Sequence, residues 1–414
     1  MSAGPSRRLA DHEPRCCIAG CGPAGAVLAF LLARAGIDVL VLEKHGDFLR
    51  DFRGDTIHPS TLEVLDEVGL AERFLSLPHR QVADLTLRTS AGDTLRVSFR
   101  GLPTKYPFIA FVPQWDFLDF LTAEARRYPA FRLLMNTEVT GVVWEDGVVR
   151  GVRYRTPDGD REVRAPLTVG ADGRQSRTRD AVGLPSVSAS PPMDVLWFRL
   201  SRDPQDDSGV QAVIGPGHFI ALLDRGDYWQ VGYTIGKGQA DRVREQGLDA
   251  FRRSLASLAP WLADRVAELQ GWDQISLLTV RADRLTRWFA PGFLAIGDAA
   301  HAMSPVAGVG INVAIQDAVA AANVLWRPLR AGAVSVRDLA ALQRRRELTV
   351  RLTQAMQEFV HRQVLARHLA SSEAPVIPPL LRLAMRAPGL RMLMPRLVAL
   401  GVNRPHVESP AIAG

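Results

Sequence analysis

Cysteine is scarce in this 414-residue sequence: only Cys16, Cys17 and Cys21 are present, all within six positions. Such crowding excludes a disulfide framework, and no spaced Cys or His partners suggest a zinc site, so no metal is expected. The three read as small apolar residues. Lysine is equally rare, since Lys44, Lys105 and Lys237 are the only lysines among 50 basic residues. The arginines are scattered, with Arg344-Arg345-Arg346 the densest run. A net charge of +6 and a pI near 9.6 raise the question of nucleic acid, but a basic stripe with interleaved aromatics is missing. Arginine chosen over lysine by a GC-biased genome is the simpler reading. Long apolar runs are also missing. The stretch Ala299 to Gln316 contains Ser304, Pro305, Gly308, Gly310 and Asn312, which argues against a membrane span. Met1 to Arg15 has no apolar core of the secretory kind, so a cytoplasmic location is expected.

What is present is ordinary globular composition: 47% hydrophobic, 23% charged, mean hydropathy +0.01. At roughly 150 residues per domain, the length predicts two or three domains.

The first informative segment runs from Arg15 to Glu43. A short apolar strand leads into Gly20-Cys21-Gly22-Pro23-Ala24-Gly25, an apolar helix follows to Ala35, and a second strand, Asp38 to Leu42, ends in Glu43. Gly20 permits a tight turn, Gly22 admits a pyrophosphate to the backbone, and Gly25 lets helix and strand pack closely, with helix N–H groups facing the phosphates. Glu43 stands 18 residues beyond Gly25, where a carboxylate can accept the hydroxyls of an adenosine ribose. The pattern predicts dinucleotide binding without choosing between NAD(P) and FAD.

Two later motifs favour FAD. One strand ends at Gly170-Ala171-Asp172-Gly173, followed by Ser176 and Arg179. Another leads into Gly297-Asp298-Ala299-Ala300-His301, after which Pro305, Gly308, Gly310 and Asn312 open a helix predicted to reach about Trp326. A carboxylate after a strand, at Asp298, can bond a polyhydroxy chain such as ribityl, and glycines at a helix start let a flat ring press against bare backbone. The positive helix end near Gly310 would face the flavin pyrimidine edge.

The ordered set Gly20-Cys21-Gly22-Pro23-Ala24-Gly25, Glu43, Arg53-Gly54-Asp55, Gly170-Ala171-Asp172-Gly173 and Gly297-Asp298-Ala299-Ala300-His301 resembles the single-component FAD-dependent monooxygenases of the para-hydroxybenzoate hydroxylase type, over residues 15 to 330. The resemblance implies an α/β chain: a Rossmann-like FAD-binding domain of the GR2 type, an inserted β-sheet substrate domain and a C-terminal helical tail. It implies that Gly20, Gly22, Pro23, Ala24 and Gly25 hold the FAD pyrophosphate, that Glu43 meets the ribose with Lys44 beside it, and that Arg53 contacts the phosphates. Gln114 falls near the ribityl chain and Val139 near adenine. Asp172 belongs to a motif serving both FAD and transient NAD(P)H, Asp298 holds the ribityl chain, and Pro305, Gly308, Gly310, Ile311 and Asn312 border the isoalloxazine. One departure from the pattern is visible, because Asp55 and Thr56 follow the arginine and glycine where relatives often carry smaller or aliphatic residues.

In that chemistry NAD(P)H reduces the FAD, O2 adds to the reduced ring, and a C4a-hydroperoxide passes one oxygen to an electron-rich carbon, hydroxylating or epoxidising it. The cofactor carries the hard step, so no catalytic dyad or triad is expected. None is visible: no serine lies in a G-x-S-x-G context, and no histidine pair brackets a glutamate in zinc-protease spacing. His58, Asp55 and Pro305 are the catalytic candidates. His301 reads as a local hydrogen-bonding residue, and Ser60-Thr61-Leu62-Glu63 as a capping box after His58-Pro59. No second G-x-G-x-x-G appears, and Gly215-Pro216-Gly217-His218 is the nearest match. A separate NAD(P)H-binding domain is therefore not expected. A halogenase, the nearest competing enzyme, should show W-x-W-x-I-P and a well-placed lysine, which this chain lacks. It stays open as an alternative with a flavin-dependent reductase or dehydrogenase, and so does a non-catalytic flavin-binding protein.

The expected organisation is FAD-binding segments at 1–80, 105–184 and 276–338, a substrate-domain hairpin at 81–104 and sheet at 185–275, and a helical region at 339–414. Alternation puts Tyr228, Gln230 and Gly232 on one strand face and Trp229, Val231 and Tyr233 on the other. Trp197, Arg199, Phe219, Tyr228 and Gln230 are the substrate candidates, in a pocket with few charges suited to a bulky aromatic or polyketide-like molecule of secondary metabolism. The expected partners are that small molecule and O2. The chain is expected to be a monomer or homodimer.

Overall fold

The structure, a computed structural model, describes residues 13–49, 56–207, 209–362, 387 and 391–412. Its first strand, β1 (Cys16–Ala19), is four apolar residues with no exposed surface, the composition a strand needs when both faces of a parallel sheet are covered. The chain turns into α1 (Pro23–Arg34) and returns as β2 (Val39–Leu42), parallel to β1 with Cys16 opposite Val39. Proline at the first helical position suits α1, because its fixed φ is helical and it has no N–H to leave unpaired.

A short strand, β3 (Thr56–Ile57), precedes α2 (Pro59–Glu67) and α3 (Ala71–Leu75). The capping box expected at Ser60 does not form. Proline again takes the first turn, His58 is the N-cap, and Glu63 instead accepts a hydrogen bond from Thr104. Next come β4 (Arg80–Val82), the hairpin β5 (Asp84–Thr89) and β6 (Thr94–Ser98), β7 (Ile109–Phe111), α4 (Gln114–Ala125) and β8 (Phe131–Leu134). Strands β9 (Glu138–Glu145), β10 (Val148–Thr156) and β11 (Gly159–Arg164) form an antiparallel meander before β12 (Leu167–Gly170) and the short helix α5 (Arg177–Val182).

The second sheet is built from β14 (Met193–Ser201), β15 (Val210–Gly215), β16 (His218–Asp224) and β17 (Tyr228–Gly236), which follow the small strand β13 (Ser186–Ala189). Helices α6 (Ala240–Glu245) and α7 (Leu248–Leu258) come next, then β18 (Ser276–Leu278), β19 (Ala282–Leu285), β20 (Phe289–Ala290) and β21 (Phe293–Ala295). The chain continues through α8 (Gly310–Ala331), α9 (Val336–Val360) and α10 (Leu393–Ala399). Gly215-Pro216-Gly217-His218 is the tight turn between β15 and β16, with Gly217 at φ +69°.

Two sheets organise the molecule. The first has strand order β20-β21-β12-β1-β2-β8 and is parallel except for β20 at its edge. The second has order β18-β14-β17-β16-β15-β5-β6, so register joins the early hairpin β5–β6 to strands more than 100 residues later. Helix α8 runs past the predicted end at Trp326 to Ala331 and stops at Gly332, a left-handed C-cap. It is long and apolar enough to cross a membrane, but 72% of its most apolar window is buried inside the fold, so it serves as a core helix. Helix α9 starts three residues before the predicted Leu339, where Ser335 and Asp338 form a reciprocal capping box. The tail prediction from residue 363 to 386 lies outside the described residues.

One face of the second sheet packs on α7. Trp229, Val231, Tyr233, Leu196, Phe198 and Leu222 form a core there with Phe251 and Leu255, separate from the core around β1 and α8. Trp229 is 1% exposed and donates its indole N–H to Asp206 at 2.9 Å. Trp229→Ala should cost about 3–5 kcal/mol in urea unfolding followed by far-UV circular dichroism, while leaving the cofactor affinity within twofold.

Candidate functional site

The three glycines of the first turn face different surroundings. A Cβ on Gly20, which has φ +95°, would meet the Ala171 carbonyl oxygen at 2.5 Å, and one on Gly25 would meet the Gly20 carbonyl oxygen at 2.0 Å. Both positions are closed by backbone. A Cβ on Gly22 would meet nothing within 4 Å. Gly22 is also the N-cap of α1, and no side chain caps the helix, so its first N–H groups face an open cradle. That is the arrangement a diphosphate requires.

Glu43 is nearly buried at the end of β2. Its carboxylate accepts the N–H of Cys21 at 2.9 Å and of His45 at 3.1 Å, which ties the strand end to the glycine turn. Its backbone carbonyl accepts from Thr137, so Val139, buried in β9, lies close by in the chain. Lys44 is exposed. Gln114 is the first residue of α4. Arg53 and Asp55 lie outside the described residues.

The Gly297-Asp298 turn follows β21 directly. A Cβ on Gly297 would meet the Cβ atoms of Ala24 and Ala314 at 3.0 and 3.1 Å, so the starts of α1 and α8 converge on this turn. Asp298 keeps a third of its side chain exposed and pairs with Arg174, Nε to Oδ2 at 3.1 Å. Asp172 is placed differently: it accepts hydrogen bonds from the Thr178 amide and hydroxyl at 3.0 and 2.9 Å and from Ser176, which fixes the start of α5.

The segment Pro305 to Gly308 forms a single helical turn before α8, with Ala307 and Gly308 both left-handed. The Thr56 hydroxyl donates to the Gly308 carbonyl at 3.0 Å. Asn312, 3% exposed, accepts from the His58 amide and Thr61 hydroxyl and donates to the Thr56 carbonyl. It therefore clamps β3 and α2 to the start of α8. Gly310 has no neighbour closer than 3.7 Å to a built Cβ, and Ile311 is half-buried. The Val309 N-cap carries no side-chain hydrogen bond, leaving the positive end of α8 uncapped. Open cradle, partly exposed carboxylate and uncapped second helix together fit an extended dinucleotide.

His58 is fully buried. Its Nδ1 donates to the Val398 carbonyl at 2.8 Å, and burial pushes its pKa down to about 4. The ring is neutral at physiological pH, and Nε2 is buried without a partner. The cysteines are buried free thiols, and burial raises the pKa of all three, Cys17 to about 12. Among the described residues no cluster of His, Cys, Asp and Glu could hold a metal.

Register puts Trp197, Arg199, Phe219, Tyr228 and Gln230 on one face of the second sheet, opposite the face covered by α7. The same face turns toward β7, where Leu85, Val210 and Leu223 pack with Ile109 and Phe111. The Trp197 indole lies over Gly232, where a Cβ would meet the ring at 2.9 Å. Arg199 sits 4.8 Å from the centre of the Tyr228 ring. Arg225, which sequence reasoning passed over, donates to the Gln230 side chain and stands 5.1 Å from the Phe111 ring. The face therefore carries more positive charge than expected.

Comparison with known proteins agrees with this geometry. The family profile described as FAD binding domain matches residues 13–356. A 6-methylpretetramide 4-monooxygenase from Streptomyces rimosus is 33% identical over 395 residues, covering 95% of this chain and 94% of that protein. A second 6-methylpretetramide 4-monooxygenase from the same species is 30% identical over 76% of this chain, which spans 55% of that longer protein. The crystal structure of pqsL, a probable FAD-dependent monooxygenase from Pseudomonas aeruginosa, superposes with TM-score 0.75 at 22% identity, covering 86% of this chain and 98% of that one. The family match and the monooxygenase relative, consistent with the glycine cradle, define a flavoprotein oxidoreductase. The chain belongs to the FAD binding domain family and is an FAD-dependent monooxygenase.

Two outcomes test the site. Gly22→Val should still fold, losing no more than about 1 kcal/mol for a poorer N-cap because its side chain enters open space, yet weaken FAD binding at least tenfold in a fluorescence titration. The second concerns pH. The folded His58 pKa lies below the ordinary 6.5, so the unfolded chain binds more protons between pH 6.5 and 4, and stability falls as pH drops through that window. Urea unfolding at pH 7 and pH 5 should show a loss larger by about 2 kcal/mol for the native chain than for His58→Asn.

Proposed function

We propose that this monooxygenase hydroxylates an electron-rich ring of a polycyclic, polyketide-derived aromatic, consuming NAD(P)H and O2, as a cytoplasmic enzyme of secondary metabolism. The observation that carries the reading is the broad face of Trp197, Phe219, Tyr228 and Gln230 turned toward the side of the sheet where β7 and β3 approach the start of α8. The extended match to 6-methylpretetramide 4-monooxygenase supports the substrate class.

When bound, FAD supplies electron storage and the activation of O2. The residues supply everything else. The uncapped start of α1 at Gly22, Pro23 and Ala24 would bind the diphosphate, with Gly20 and Gly25 holding the turn closed behind it. Glu43 would take the ribose hydroxyls and Asp298 the ribityl chain, with Gln114 and Val139 along the same path. The start of α8, near Gly308, Gly310 and Ile311, presents backbone N–H groups and the positive helix end, which stabilise negative charge on a ring set against them. Asn312 fixes that helix start, and Pro305 shapes the turn before it. Asp172 positions the Ser176 to Arg179 segment, next to which the nicotinamide cosubstrate would dock for its transient visit.

The second sheet excludes water and orients the substrate. Trp197, whose indole lies against Gly232, offers an aromatic surface, and Arg199 and Arg225 favour an oxygen that carries negative charge. His58, neutral and buried, ties the start of α2 to the Val398 carbonyl rather than carrying a proton.

The test follows NAD(P)H oxidation by the purified protein against a panel of polycyclic phenols under labelled O2. Substrate-stimulated oxidation with one labelled oxygen in the product is expected, and Trp197→Ala should raise KM roughly tenfold, the loss of one aromatic stacking contact. Reduction of the substrate without oxygen uptake would establish a reductase instead, and a halide-dependent product a halogenase.

A further inference from the structure

Beneath the Gly297-Asp298 turn lies a buried charged cluster that the proposed chemistry does not use. Asp317, in the apolar middle of α8, has no exposed surface. Its Oδ2 accepts the Gly297 amide at 3.1 Å and the His301 ring through Nε2 at 2.5 Å, and its Oδ1 accepts Arg346 Nε at 2.8 Å. A carboxylate is acceptor-only, so His301 carries its proton on Nε2. Arg346, 1% exposed, comes from α9 and also donates to the Gln316 side chain at 3.2 Å.

Burying an ion pair returns little stability, because desolvation offsets the attraction, and apolar side chains of the same volume would hold α8 to α9 as well. What apolar residues cannot do is grip an amide. Asp317 does so at Gly297, which adopts φ +58° and touches Ala24 and Ala314, the starts of the two helices that frame the groove. The next residue is Asp298. We infer that Asp317 and Arg346 are positioning residues for the flavin: they fix the Gly297 amide and so the direction in which Asp298 offers its carboxylate to the polyhydroxy chain of FAD. Helix α9, outside the parallel sheet, thereby sets how tightly and in what orientation the cofactor is held. The inference rests on the family's FAD binding and extends it to residues that no glycine motif contains.

The experiment uses the full chain, stripped of cofactor and titrated with FAD. Three quantities are measured for the native protein, Asp317→Asn, Arg346→Gln and Arg346→Lys: the urea midpoint of the stripped protein, the FAD dissociation constant by fluorescence quenching, and the visible circular dichroism of the bound flavin. Asp317→Asn and Arg346→Gln should raise the dissociation constant at least tenfold and alter the flavin dichroism, with Arg346→Lys recovering to within threefold of native. A merely structural pair would shift the urea midpoint alone. A dissociation constant within twofold of native in either folded variant, with unchanged dichroism, overturns the proposal. Should Asp317→Asn fail to fold, Arg346→Gln, which keeps a donor facing Asp317, decides the matter alone. Native protein that takes up no FAD would instead overturn the family reading, and this inference with it.

Discussion

Backbone meets backbone where three parallel strands deliver the chain to one edge, and the rest of the molecule is arranged around that approach. The β1 turn touches the residue after β12, and the turn after β21 touches the starts of α1 and α8. Gly20 and Gly25 have no room for a Cβ, and one on Gly297 would crowd the Cβ atoms of Ala24 and Ala314 at 3.0 and 3.1 Å. The consequence is electrostatic as well as steric, because two helices begin at one groove with no side chain capping either. Such a groove concentrates unpaired N–H groups, and an elongated, polyanionic ligand with a flat electron-accepting ring satisfies both ends.

The remaining elements hold that groove in shape or cover it. Asn312, Thr56 and the His58 amide tie the N-terminal half of the chain to the start of α8. The C-terminal residues run across the same helices: Val398 accepts from His58, Leu400 from Gln316 and Val402 from Thr349, while Arg404 pairs with Glu63. The second sheet has its own apolar core with α7, and its other face turns toward β7, where Leu85, Val210 and Leu223 pack with Ile109 and Phe111.

The sequence announces the parallel sheet and the glycine turn well, because their signals are local: an apolar run, a fixed glycine spacing and an acid at the next strand end all fall within 30 residues. Alternation and turn residues mark β5–β6 and β14–β17 as strands, though nothing local says which of them pair or which face turns inward. That choice depends on α7 covering Trp229, Val231 and Tyr233. Partners distant in sequence are the least legible. Arg174 beside Asp298 looks like one more residue of a glycine loop, and Arg346 looks like one of three arginines on a solvated helix, yet one pairs with the exposed carboxylate and the other is buried against Asp317. A lone acid amid the alanines and valines of α8 was the available sign, since a charge in a buried helix needs a partner. Proline at Pro59 likewise prevailed over the Ser60 capping pattern, because it fixes the helix start two residues earlier, with His58 as the N-cap.

The central claim is that FAD lies along this groove, its diphosphate on the start of α1 and its ring against the start of α8. A crystal structure of the protein reconstituted with FAD tests it most directly. The account predicts diphosphate oxygens within hydrogen-bonding distance of the amides following Gly22, a ribityl hydroxyl on Asp298, and the ring edge facing the amides near Gly310. A protein that remains colourless after reconstitution, or a flavin bound away from these two helix starts, would contradict it.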